Sequence, residues 1–116
     1  MRLGKWLLCM LGSLFMTGCR TESVLMPEKY LLIDVRTLEE YEVGHLPGAV
    51  LIPYETIRER IPVVAPDKSV PIYLYCHSGS RASIARVTLE KMGYTKVVNL
   101  GGLSRASKKT QLPIIR

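Results

Sequence analysis

Cysteine and histidine are scarce in this chain, with three of the first and two of the second in 116 residues. So few soft ligands, and two histidines so far apart, leave no adequate donor set for a metal, and no cofactor is expected. No apolar run reaches the roughly 20 residues that a membrane-spanning helix needs. Internal repeats and low-complexity tracts are absent. So is the alternation of basic and aromatic residues that marks nucleic-acid binders, which sets that class of partner aside. What remains is an ordinary globular composition, 47% apolar and 22% charged. A chain of this length has room for one core and is too apolar for disorder.

The first eighteen residues stand apart. Arg2 and Lys5 open a stretch without acids, Trp6 to Met16 is almost wholly apolar, and the small residues Thr17 and Gly18 precede Cys19. A positive start, a short apolar run and a small-residue cleavage site read as a secretory signal. Met16-Thr17-Gly18-Cys19 resembles a bacterial lipobox, which implies cleavage before Cys19 and acylation of that cysteine. The expected organisation is a signal over 1–18, a polar tether over 19–29 and one domain over 30–116. The protein is then exported and held by lipid at the cell envelope, facing the periplasm or the outside of a one-membrane cell. Losing Arg2 and Lys5, with no acids, lowers the net charge from +6 to +4. Cys9 leaves with the signal and Cys19 is acylated, so Cys76 is the one thiol left. An unpaired cysteine in an oxidising compartment points to a reactive group.

From Tyr30 onward, strand-like and helix-like segments alternate. Tyr30 to Val35 is a β-rich apolar run bounded by breakers, and Thr37 with Glu40 forms a capping-box pattern that opens a helix over 38–43. A second strand over 49–52, a helix over 54–61, a loop over 62–71 and a third strand over 72–75 follow. A helix over 82–92 carries Ile84, Ala85, Thr88, Leu89 and Met92 as its buried stripe, with Gly93 as its cap. A fourth strand over 96–100, the Gly101-Gly102 turn and a weak terminal helix complete the pattern. Such alternation implies an α/β fold with a mainly parallel sheet covered on both faces.

The third strand ends at Cys76, and a helix begins a few residues later. Between them, His77, Ser78, Gly79, Ser80 and Arg81 form a short polar loop in which Gly79 permits backbone conformations closed to other residues. A loop of this kind turns main-chain N–H groups inward, and the helix dipole adds positive potential. The same field favours a bound anion and an ionised sulfur, since thiols at helix N-termini drop from about 8.5 to roughly 3.5–7.5. The competing reading is a small buried cysteine that merely ends a strand. The polar, glycine-containing loop argues against it.

Several ordered motifs carry a family resemblance. They are Asp34-Val35-Arg36, Glu40-Tyr41 with Gly44-His45-Leu46-Pro47-Gly48-Ala49, Ile52-Pro53, Tyr75 to Ser83, and Gly93-Tyr94 through Gly101-Gly102-Leu103. Over residues 30–113 the chain resembles the single-domain rhodaneses, in particular the small exported bacterial kind of the phage-shock type. The resemblance implies a rhodanese-like α/β fold with a five-stranded sheet and helices on both faces. It also implies sulfurtransferase activity: Cys76 takes a sulfane sulfur from a small anionic donor such as thiosulfate. The resulting persulfide passes it to cyanide or a thiol acceptor. His77, Ser78, Gly79, Ser80 and Arg81 would form the substrate-binding loop, with Asp34 and Arg36 structural beside it and His45 in a structural turn. A monomer is expected. Two positions depart from the family pattern: Ala106 lies near the place of a usual tryptophan, and His77 stands where a stronger cation is common.

Some choices stay open at the level of sequence. Arg81 either attracts the donor or pairs with an acid outside the pocket, and His77 either lines the pocket mouth or is solvated. Three other functions compete: a cysteine phosphatase, a persulfide carrier for a protein thiol, and a non-catalytic binding module. Cysteine phosphatases place one residue more between cysteine and arginine than the four found here, His77 to Ser80.

Overall fold

The computed structural model describes residues 23–116. The signal expected over 1–18, the acylated Cys19 and the first tether residues lie outside the described residues.

Four strands, β1 (Leu31–Asp34), β2 (Val50–Leu51), β3 (Ile72–Cys76) and β4 (Val97–Gly102), form one parallel sheet in the order β2-β1-β3-β4. Helices α1 (Leu38–Val43), α2 (Ile57–Val64) and α3 (Ser80–Lys91) fill the connections, with a 3-10 turn at Tyr54–Thr56 before α2, and α4 (Leu103–Thr110) follows the last strand. Among the described residues the sheet has four strands, where the family resemblance implied five. The segment before β1 has no ladder partner. The Val24 N–H donates instead to the Lys109 carbonyl at 2.7 Å, and Val24 and Met26 pack against one face of the core. The stretch read as tether therefore touches the domain from residue 23.

Burial follows the pleat. Ile72, Leu74 and Cys76 of β3 face a core shared with Ile33 and Val35, against Ile57 and Ile61 of α2 and Ala82, Ala85 and Leu89 of α3. Tyr73 and Tyr75 point the other way, into a smaller core with Leu32, Leu46, Leu100 and Ala106 of α4. Every residue of β3 is buried, as a central parallel strand requires. The expected capping box opens α1, with the Thr37 hydroxyl accepting from Glu40 N–H.

Two helices differ from their expected course. Helix α2 runs through Pro62 to Val64 instead of stopping at Ile61. Pro62 forfeits one helical hydrogen bond, but the Ala65 N–H closes the turn on the Ile61 carbonyl at 2.7 Å, and Ile61 is anchored in the core. Helix α3 starts two residues earlier than expected, at Ser80, and its buried stripe is Ala82, Ala85 and Leu89. Ile84, expected in that stripe, is 52% exposed, because two alanines let the helix sit close and only a narrow arc reaches the sheet. Ala106 is fully buried, so α4 seats tightly without the larger residue usual in the family.

Candidate active site

Cys76 is the last residue of the central strand, so its side chain emerges at the carboxyl edge of the sheet, where parallel α/β folds place ligands. Gly79 adopts φ +100°, a left-handed conformation that side chains disfavour, and this turns its amide back toward the strand. The Gly79 N–H donates to Cys76 Sγ at 2.9 Å. Helix α3 begins at the next residue, so the positive end of its dipole lies at the loop. Both readings of Cys76 are partly realised. The thiol is fully buried, yet it accepts a hydrogen bond from a loop that inert core cysteines lack.

The loop is held from β4. Asn99 Nδ2 donates to the Gly79 carbonyl at 3.0 Å, while Asn99 Oδ1 accepts from the Gly101 N–H at 2.8 Å. Gly102 pairs with Cys76 in the sheet register, after an irregularity in the ladder. A methyl on Gly102 would overlap the His77 carbonyl, and one on Gly79 would lie 3.3 Å from Gly101 Cα. Gly101 and Gly102 are thus the wall against which the loop closes, and they extend β4 where the sequence pattern predicts a turn. Asn99 is absent from the residues expected in the site. A lone asparagine in an apolar strand is the one signal that marks it.

The other expected residues separate. His77, Ser78 and Ser80 are exposed on the loop, and the two serine hydroxyls lie 3.3 Å apart. Arg81 turns to Glu40, with paired bonds of 2.9 and 3.0 Å. Of the two roles left open for Arg81, the structure shows pairing with an acid. Glu40, in turn, is held down to about 2 chiefly by the Arg81 guanidinium, with Thr37 adding its own hydrogen bonds against the cost of burial.

Asp34 and Arg36 form a buried pair. Arg36 Nε and Nη2 donate to the two carboxylate oxygens at 2.8 and 2.6 Å, Nη2 also donates to the Gly44 carbonyl at 2.6 Å, and the Arg36 amide reaches Asp34 at 3.0 Å. The pair sits beside Tyr75, whose hydroxyl accepts from the Leu46 N–H at 3.0 Å. Burial pushes the Tyr75 phenol well above its ordinary range. His45 Nδ1 lies 2.8 Å from the Tyr41 carbonyl and its ring stacks on the Tyr41 ring, a structural placement.

A cleft of about 470 Å³ lies at the opposite edge of the sheet, between the entry to β1 and the exit of α2, and is lined by Lys29, Tyr30, Ala65 and Asp67 among others. It shares no residue with the loop. Among the described residues no cluster of three metal-ligating side chains occurs, and no helix is long and apolar enough to cross a membrane.

Known proteins match this arrangement. The thiosulfate sulfurtransferase PspE of Escherichia coli is 44% identical over 71 residues, covering 61% of this chain and 68% of its own. A tRNA uridine(34) hydroxylase of Hamiltonella defensa is 36% identical over 92 residues, covering 72% of this chain but only 26% of its own length. A solved structure, a rhodanese with anions from E. coli, superposes with a TM-score of 0.68 at 38% identity, covering 75% of this chain and 98% of that one. Residues 22–109 match the rhodanese-like domain family, and with the α/β sheet and loop just described, the chain belongs to that family as a single domain.

Proposed function

We propose that the protein is a sulfurtransferase of the rhodanese type, moving a sulfane sulfur from an anionic donor such as thiosulfate through a persulfide on Cys76. The observation that carries this is the Gly79 N–H aimed at Cys76 Sγ, at the strand edge where a helix begins. A 44% identical relative that acts as a thiosulfate sulfurtransferase, and a similar rhodanese solved with anions, support the same reading.

In the first step the Cys76 thiolate attacks the outer sulfur of thiosulfate. A new S–S bond forms to Cys76, the donor's S–S bond breaks, and sulfite leaves with its electron pair. In the second step cyanide or a thiolate attacks the outer persulfide sulfur, and Cys76 is released as thiolate. The loop amide stabilises the negative sulfur in both states, as an oxyanion hole does. Because Cys76 is fully covered, the exposed His77 and Ser78 side chains have to give way for the donor to enter while the Gly79 amide keeps its place on the sulfur. The same proposal places the domain outside the cytoplasm on a lipid-bearing Cys19, after removal of 1–18.

Mass spectrometry decides the matter. The purified domain treated with thiosulfate should gain about 32 Da on Cys76, and lose it to cyanide. Cys76→Ser should show neither. An unmodified wild-type thiol would leave the fold as a binding module. A full adduct with little turnover on cyanide or small thiols would mark a carrier for another protein's thiol.

A further inference from the structure

With Arg81 committed to Glu40 and Arg36 buried against Asp34, the loop needs another cation to gather a dianionic donor. Among the described residues Arg105, exposed in the first turn of α4, forms no ion pair and no side-chain hydrogen bond. Its stem lies over the glycine wall: a methyl on Gly101 would stand 3.1 Å from Arg105 Cδ and 3.7 Å from its Cβ and Cγ. Gly101 in turn packs on Gly79, whose amide holds Sγ. We propose that Arg105 is the specificity-determining cation of this site, recruiting the anionic sulfur donor to the loop above Cys76. The inference rests on the sulfurtransferase reading and names the residue that selects its substrate by charge.

Arg105 takes no part in breaking the S–S bond. It raises the local concentration of anion and orients the donor's sulfonate outward, leaving the sulfane sulfur toward Cys76. A unit charge acting on a dianion at a separation on the order of 10 Å in water changes affinity by about three- to fivefold, and salt screens it.

The test compares Arg105→Gln, Arg105→Lys and, as an equal loss of charge just under one turn along the same helix, Lys108→Gln. Steady-state kinetics use thiosulfate, a dianion, and methanethiosulfonate, a monoanion, at low and high salt. Support consists of a thiosulfate KM raised about three- to fivefold by Arg105→Gln with kcat held within about twofold. The methanethiosulfonate KM should rise less, the salt dependence should flatten, and Arg105→Lys should restore most of the affinity. An unchanged KM in Arg105→Gln, with the wild type fully active, overturns the assignment and leaves the sulfurtransferase reading standing. An equal effect from Lys108→Gln also overturns it, because the field is then general. A wild type that forms no Cys76 persulfide overturns both.

Discussion

At the scale of single residues, Glu40 does two jobs that belong to different levels of structure. Its backbone and side chain close the capping box of α1 with Thr37, a local pattern visible in the sequence. Its carboxylate also clamps Arg81, 41 residues away, which no local pattern shows. The clamp fastens the start of α3 to the start of α1 and engages both terminal nitrogens of the Arg81 guanidinium. Glu40 is held at about 2 against an ordinary 4.5, so folding favours its charged form. That stabilisation is complete above about pH 4.5 and is lost as pH falls toward 2. Both side chains remain about 30% exposed, so a contribution of about 1 kcal/mol is expected after screening, well short of a buried pair. Urea denaturation of wild type and Glu40→Gln should show this gap at pH 6, and the gap should narrow steadily below about pH 4.5 and be nearly gone near pH 2. A gap unaltered by acid would mean that the clamp contributes nothing through charge.

At the scale of elements, the site is a joint between two neighbouring strands. Strand β3 supplies the sulfur and its loop supplies the amide, while β4 supplies the restraint through Asn99, Gly101 and Gly102. Asn99 binds one carbonyl of the loop and one amide of its own strand, so its loss removes the side-chain partner of the Gly101 amide and leaves the Gly79 carbonyl held only by the Ser83 N–H at 3.0 Å. Asn99→Ala should lower stability by about 1–2 kcal/mol. It should also cut sulfur transfer by about ten- to a hundredfold, since a displaced Gly79 amide no longer meets the sulfur. Turnover of thiosulfate measured beside denaturation separates the two effects, and activity at the wild-type level would remove Asn99 from the site. The loop itself was legible because a polar, glycine-bearing break between strand and helix has a period and a composition. Asn99 was not, because a single polar residue within a strand belongs to no pattern until its neighbour across the sheet is known.

At the scale of the whole molecule, the two faces of the sheet are closed differently. Helices α2 and α3 cover one face with a large aliphatic core, whereas α4 covers the other with help from Val24 and Met26. The segment 23–29 is thereby part of the folded unit. A chain beginning at Ser23 should melt like the mature protein, while one beginning at Tyr30 should lose about 1–2 kcal/mol of burial, or roughly 5–10 °C. Equal melting temperatures for the two would return the segment to the status of a tether. The amino-acid sequence determined by itself the alternation of strand and helix, the placement of Cys76 at a strand edge and the motifs of its family, because periodicity, breakers and caps act over a few residues. The number of strands, the partner of Arg81, the exposure of Ile84 and the restraint from Asn99 were decided only by the tertiary structure. Each depends on which distant groups the sheet brings within hydrogen-bonding or packing distance, and local sequence holds no record of that.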